Sequence, residues 1–337
     1  MKAVGYKKSS EKVSGTSLVD IELDIPVPDG HDLLLEVKAI AVNPVDTKIR
    51  AARDPEGDEY KVLGWDAVGI VKEVGPDVSM FKAGDRVYYA GDLTRPGTNM
   101  EFHLVDERIT GHAPLSLSDA EAAALPLTTI TAWELLFDRL EIKTTKQASQ
   151  EKLLVIGAAG GVGSILVQLA RRLTNVTVIG TASREETKNW LYELGAHEVI
   201  NHYKPLSEEL EDINIHEVDY VISLTNTEQH LPEIVKSIKP QGKFALIDDP
   251  NSLDVKALKQ KSLSLHWEFM FARSLFQTDD MIGQHQLLNE VSRLVDDGIV
   301  KTTVGQNLGR ICAENLIEAH QILESQTARG KLVLEGF

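Results

Sequence analysis

A chain of 337 residues with 51 acidic and 35 basic side chains carries a formal net charge of −16, which repels phosphate backbones and anionic bilayers and argues against nucleic acid and membranes as partners. Hydrophobic content of 42% with 26% charged residues suits a folded globular protein, and the length favours two domains over one small core. No apolar run approaches the roughly 18 residues that span a bilayer, the start Met1-Lys2-Ala3-Val4 lacks the apolar core of a secretion signal, so the cytoplasm is expected, and the single Cys312 excludes an internal disulfide or a multi-thiolate metal site.

Residues 1 to about 115 read as β-rich. Ile21, Leu23 and Ile25 alternate, and Leu33 to Ile40 is a longer apolar strand. Between Gly69 and Val87, Gly75-Pro76 and Ala83-Gly84-Asp85 are turn signals separating short strands, the habit of a small, strongly bent barrel. Ser118 with Glu121 three residues on is a capping box that opens a helix through Leu125. Pro126 breaks it, and Thr128 to Leu140 forms another, with Ile130, Trp133, Leu136, Phe137 and Leu140 on one face. The polar residues 143–150 lead as a linker into a central strand.

That strand, Leu153 to Ile156, ends in a glycine-dense turn and passes at once into Val162, Ile165, Leu166 and Leu169 at helical spacing. Ala158, Gly160 and Gly163 hold the places of a G-x-G-x-x-G fingerprint with alanine first. Gly160 lets the backbone approach a pyrophosphate, Gly163 lets helix and strand pack closely, and the helix start, with Gly161 and Val162, offers N–H groups to the negative charge. A strand-to-helix turn that binds nothing has the same pattern, so the evidence for a dinucleotide site is the series that follows. Strands at 176–181, 198–200, 220–224, 243–247 and 263–271 are interleaved with helices at 185–194, closed by Gly195, and 228–238. Near-continuous apolar strands between amphipathic helices form a parallel sheet covered on both faces, a Rossmann domain of about six strands. The tail, with helices at 281–297 and 313–324 and a strand at 331–335, returns to the first domain.

Asn43-Pro-Val-Asp46, Gly64-Trp-Asp-Ala-Val-Gly69, the Gly69–Val87 run, Leu127-Thr-Thr-Ile-Thr-Ala-Trp133, the Ala158–Gly163 loop and Gly330-Lys331 stand in one order. In this the chain resembles the medium-chain dehydrogenase/reductase superfamily, and within it the zinc-independent quinone oxidoreductase-like branch, often named zinc-type alcohol dehydrogenase-like. The resemblance covers essentially the whole chain. It implies an α/β fold in which a Rossmann doubly wound parallel-sheet domain accompanies a β-rich GroES-like barrel domain. Residues 1–126 and 272–337 are expected to form the GroES-like catalytic domain and 127–271 the Rossmann NADP-binding domain, the nicotinamide meeting its substrate between them. Zinc-dependent relatives place a cysteine where Asn43 stands, a histidine-glutamate pair where Trp65-Asp66 stands, and a four-cysteine structural lobe. This chain has none of these. Asp46 and Asp66 with a scattered histidine would suit a harder cation than zinc, so no metal site is expected.

In NAD-selective Rossmann folds an Asp or Glu about 20 residues past the glycine loop binds the ribose hydroxyls. Here the tip of the second strand reads Thr181-Ala182-Ser183-Arg184. A hydroxyl and a guanidinium match the 2′-phosphate of NADPH, and the nearby Glu185 and Glu186 read as first-turn charges of the next helix. Tyr203, after the third strand, either packs near the adenosine phosphate or is a solvent-exposed loop residue. Thr131 matches the family threonine near the nicotinamide amide, its alternative being a hydroxyl bonded to its own helix.

Without a metal, alcohol oxidation lacks its usual electrophile. Reduction of a quinone or an activated α,β-unsaturated carbonyl needs little more than positioning, donors for the developing oxyanion and exclusion of water. Asn43 is the candidate donor to the substrate carbonyl, or else Asn43-Pro44 is a structural turn. Asp46 orients its neighbours, and Trp65 offers an aromatic wall beside Asp66. Tyr60 reads as a surface-loop residue, and Lys48 either guides the ligand electrostatically or is simply exposed. The expected activity is therefore NADPH-dependent hydride transfer to a quinone or enone without catalytic zinc. The alternatives are a zinc-free enoyl or carbonyl reductase and a nucleotide-binding structural or regulatory protein. The apolar strand at 263–271 near the end of the sheet suggests a homodimer paired edge to edge, as is common in the branch.

Overall fold

Leu33 to Val42 is the longest apolar alternation before the glycine loop, and it is the spine of the first of two units. The computed structural model describes residues 1–55, 57–145, 147 and 149–337. It divides into one unit of Met1–Ile130 with Phe271–Phe337 and another of Thr131–Met270. The sequence-derived borders, 126/127 and 271/272, lie near these, and the first observed border, after Ile130, falls inside a helix that runs as one rod from Pro126. Proline is favoured at a first helical position, where its missing N–H costs nothing.

In chain order the first unit contributes strands β1 (Lys2–Tyr6), β2 (Val19–Glu22) and β3 (Asp32–Val42), helix α1 (Pro44–Ala52), strands β4 (Lys61–Val62), β5 (Ala67–Val74), β6 (Arg86–Tyr89), β7 (Phe102–Asp106) and β8 (Thr110–His112), and helix α2 (Asp119–Ala123). Helix α3 (Pro126–Trp133) follows and continues as a π-helix over Glu134–Arg139. β3 pairs antiparallel with β5 along most of its length and with β7 over Asp32–Glu36. Register shifts at Leu34/Leu35 and Val37/Ala39 mark bulges, which increase local twist and bend this sheet. The helix α1 was not expected, since Asn43-Pro44 marks a turn as readily as a helix start.

The second unit runs β9 (Lys152–Ile156), α4 (Gly161–Leu173), β10 (Thr177–Thr181), α5 (Glu185–Leu194), β11 (Glu198–Ile200), α6 (Leu206–Asp212), β12 (Val218–Ser223), α7 (Thr227–Ser237), β13 (Ile238–Leu246) and β14 (Ser264–Trp267). Every neighbouring pair is parallel, and the order is β11-β10-β9-β12-β13-β14. The chain starts in the middle, winds to one edge and then crosses to the other. That places the topological switch between β9 and β12, where open α/β sheets bind ligands. Leu154, Ile156, Ile179, Val221, Phe244 and Leu246 fill the core. Two expectations need correction. Helix α6 was missed because only Leu206 and Leu210 anchor an otherwise acidic segment. The strand read over 263–271 stops at Trp267, because Phe269 turns outward and Phe271 belongs to the other unit.

The chain then returns to the first unit through α8 (Ala272–Phe276), α9 (Gly283–Asp296), β15 (Val304–Asn307), α10 (Ala313–Glu324) and β16 (Lys331–Glu335). β16 pairs antiparallel with β3, Leu332 opposite Val42. This register brings the end of the chain beside Asn43. Among the described residues no helix is long and apolar enough to cross a membrane.

Candidate functional site

β9 delivers the backbone to the glycine loop, and the glycines there differ in why they are glycine. A Cβ on Gly163 would lie 2.2 Å from the Ala158 carbonyl oxygen, so only glycine lets α4 pack this close to the turn. A Cβ on Gly160 would meet nothing nearer than the Gly157 oxygen at 3.6 Å. No protein neighbour demands glycine at Gly160. The room lies at the N-cap of the 13-residue helix α4, which no side chain caps, and a helix start of this kind favours an anionic group. Ala158 is buried, Gly161 and Val162 form the first helical turn, and the Gly157 N–H donates to Thr181 Oγ1 at 3.1 Å, tying the ends of β9 and β10 together.

Ser183 and Arg184 follow β10, with Arg184 exposed at the N-cap of α5. Glu185 and Glu186 are exposed in the first turn of α5, where they complement the helix dipole. Thr181 stands opposite Ile200 in the β10–β11 ladder, so the loops carrying Arg184 and Tyr203 leave adjacent strands on the same side of the glycine loop's strand. Tyr203 is 81% exposed, with its ring edge-on to His202. Thr131 is buried on α3.

Within the first unit, Asn43, Asp46, Asp66 and Lys331 form one buried polar cluster. The Asn43 backbone N–H donates to Asp46 Oδ2 at 2.7 Å, holding the start of α1. The Asn43 amide nitrogen donates to Asp66 Oδ2 at 2.8 Å and to the Trp65 carbonyl at 3.2 Å, while its amide oxygen accepts from Lys331 Nζ. The Asn43 amide thus bonds to groups of the protein through both its nitrogen and its oxygen. Asp66 Oδ2 also accepts from Lys331 Nζ at 2.8 Å, and Asp66 Oδ1 accepts from the Leu127 N–H at 2.7 Å. Burial pushes the Asp66 carboxyl up, opposed by the Lys331 charge and the Leu127 N–H. Burial likewise pushes Asp46 up to about 7, against the Asn43 N–H and Lys331, and the neighbouring Asp66 adds to the rise.

Trp65 is buried, its indole N–H donating to the Asp92 carbonyl at 3.2 Å and its ring edge-on to Phe271 at 6.4 Å. Tyr60 is exposed, with the Lys7 ammonium 4.9 Å over its ring, and Lys48 is exposed too. A cavity of about 220 Å³ is lined by Asp92, Arg95, Leu104, Gln277 and Met281. Arg95 there is spent on a two-pronged pair with Asp32, both bonds 2.7 Å. Sequence reasoning missed Lys331 as a member of the cluster. The available signal was one lysine opening the apolar strand Leu332–Leu334, matched by one aspartate in Gly64-Trp-Asp-Ala-Val68.

The family model described as Alcohol dehydrogenase GroES-like domain matches residues 29–112, and the model described as Zinc-binding dehydrogenase matches 194–334. A zinc-type alcohol dehydrogenase-like protein of Staphylococcus epidermidis (strain ATCC 12228 / FDA PCI 1200) is 42% identical over 99% of both chains. The chain belongs to the medium-chain dehydrogenase/reductase superfamily, in its quinone oxidoreductase-like branch. Among solved structures of this superfamily, a Rhizobium etli CFN 42 protein provisionally named a zinc-dependent alcohol dehydrogenase is 54% identical. It covers 100% of this chain and 98% of its own, with a TM-score of 0.97. Escherichia coli quinone oxidoreductase, solved with NADPH, is 27% identical over 99% of this chain and 100% of its own, with a TM-score of 0.83. This chain is thus a medium-chain oxidoreductase with a Rossmann-like and a GroES-like domain.

The superfamily's zinc finds a poor donor set here. The buried cluster offers two carboxylates and an amide oxygen without imidazole or thiolate, and the Lys331 ammonium already lies against Asp66 and the amide oxygen. Among the described residues no group of three or more His, Cys, Asp or Glu is placed to hold a metal ion.

Proposed function

We propose that this medium-chain oxidoreductase transfers hydride from NADPH to a quinone or an activated α,β-unsaturated carbonyl without catalytic zinc. The observation that carries the reading is the room left at Gly160, at the uncapped start of α4. Gly160, Gly161, Val162 and Gly163 would hold the pyrophosphate, with Ala158 beneath them. Ser183 and Arg184 would take the 2′-phosphate, Tyr203 the adenosine side and Thr131 the carboxamide end. The NADPH held by Escherichia coli quinone oxidoreductase supports this choice of cofactor.

When bound, NADPH supplies the hydride, and the chain supplies the frame. A conjugated acceptor spreads the incoming charge over its own π-system, so no Lewis acid is required. Asn43, Asp46 and Trp65 act in this reading by fixing the frame of the first unit. The Asn43 amide and the Trp65 indole N–H are bonded within the protein, and Asp46 Oδ2 accepts the Asn43 N–H. Two copies associate along β14, an edge strand whose Trp267 and the following Phe269 are 51% and 47% exposed.

The test is NADPH and NADH oxidation measured side by side against an ortho-quinone, a para-quinone and an alkenal, before and after chelation. Preference for NADPH with turnover indifferent to chelation is expected. Equal use of NADH, or activity lost to chelation and restored by zinc, would sink the reading. Tight NADPH binding without oxidation of any acceptor would instead mark a nucleotide-binding protein of structural or regulatory role.

A further inference from the structure

Lys331 is 3% exposed, which is rare for a lysine unless its charge is answered. It is answered fully. The ammonium has three N–H donors, and it has three acceptors: Val42 O at 3.2 Å, Asp66 Oδ2 at 2.8 Å and Asn43 Oδ1. The backbone places it there, since β16 runs antiparallel to β3 with Leu332 opposite Val42 and Lys331 one residue before. The partners are committed in turn. Asp66 grips the first turn of α3 through the Leu127 N–H, and Asn43 caps α1 with its backbone held by Asp46. The matched family is described as zinc-binding, yet a divalent ion seeking Asp66 and Asn43 here meets a fixed positive charge already seated between them.

We propose that Lys331 is the resident cation of this cluster, excluding a divalent metal and positioning, through Asn43 and Asp66, the N-terminal turn of α3, the helix that carries Thr131. It is a positioning residue, since its donors are spent within the protein. The proposal deepens the zinc-free reading above, but its main readouts do not depend on turnover.

The experiment uses the full chain as wild type, Lys331→Met and Lys331→Ala. Wild-type protein incubated with zinc chloride and dialysed should retain well under one zinc per chain by elemental analysis. Lys331→Met keeps the length of the side chain without its charge, and its melting temperature should fall. In Lys331→Ala, n-propylammonium should raise the melting temperature, while n-propanol of the same size should not. If turnover is present, Lys331→Met should lower kcat on the order of 10- to 100-fold through misplaced groups, with the KM for NADPH little changed because the glycine loop is untouched. Stoichiometric zinc bound by wild type at this cluster, or rescue by propanol equal to that by propylammonium, would overturn the proposal. The zinc measurement decides even if both variants fail to fold. Absence of turnover with every acceptor would count against the proposed activity while leaving the metal and melting results to judge Lys331.

Discussion

The buried Asp66 carboxylate accepts the backbone N–H of Leu127 at 2.7 Å. One oxygen therefore answers the start of α3 while the other answers the Lys331 ammonium and the Asn43 amide. Replacing Asp66 with Asn would turn an NH₂ group toward two donors and leave the ammonium without its counter-charge. Breaking a buried pair from one side costs about 3–5 kcal/mol. Asp66→Asn should lose this much in urea unfolding. The double variant with Lys331→Met should lose less than the sum of the two single changes, with a coupling of at least about 1 kcal/mol. Additive losses would show that the pair is not coupled.

The glycine loop separates a ligand effect from a folding effect. Gly160 has φ −75° and ψ −177°, open to any residue, and a Cβ there has room. Gly160→Ala should leave the melting temperature nearly unchanged and weaken NADPH binding about tenfold or more, or at least about 1.4 kcal/mol. Gly163→Ala forces a Cβ onto the Ala158 carbonyl and should destabilise the fold by about 1–3 kcal/mol. Fluorescence titration and thermal melting of the two variants check this. Unchanged NADPH affinity in Gly160→Ala would remove the loop from the site.

The readable parts of the chain were those whose physics is local. β9 and α4 were legible because a buried parallel strand is a short apolar run and the glycines follow it directly. Helix α10 and strand β16 were legible for the same reason, as amphipathic periodicity and an apolar run. The Lys331–Asp66 pair was not, because its members lie 265 residues apart and a lone charge in sequence reads as surface. The run through Phe271 also misled, since hydrophobicity marks burial or association but not where a strand ends. Leu206 and Leu210 show the opposite limit, two buried side chains being too few to reveal the periodicity of α6.

Arg184 stands at the N-cap of α5 just past the tip of β10, and Glu185 and Glu186 lie within the first turn of that helix. If the guanidinium receives the 2′-phosphate, Arg184→Ala should weaken NADPH binding by about 1.5 kcal/mol or more, the worth of a charge-assisted hydrogen bond. NADH binding should hardly change, and the ratio of the two dissociation constants is the measurement. An unaltered ratio would assign the selectivity elsewhere.

β14 ends the parallel sheet, and its last residue Trp267 and the following Phe269 are both exposed. Charges on an edge discourage pairing. Trp267→Glu with Phe269→Glu should convert a dimer in analytical ultracentrifugation to a monomer, with the core of the second unit intact by circular dichroism. A wild-type monomer at micromolar concentration would dismiss the edge as an interface.

Asp46 supplies a pH dependence whose sign follows from its surroundings. Burial raises its carboxyl from 3.8 to about 7, so the folded protein holds a proton that the unfolded chain releases near its ordinary value. Stability from this group is complete below about pH 4 and is lost as pH climbs through about 7. The loss amounts to up to about 4 kcal/mol. Asp46→Asn keeps an oxygen for the Asn43 N–H but has nothing to titrate. Urea unfolding between pH 5 and 8 should therefore show a falling stability in wild type and a flatter profile in the variant, with the variant the more stable of the two at pH 8. Parallel profiles would mean that the Lys331 charge and the Asn43 N–H outweigh burial and keep Asp46 ionised throughout.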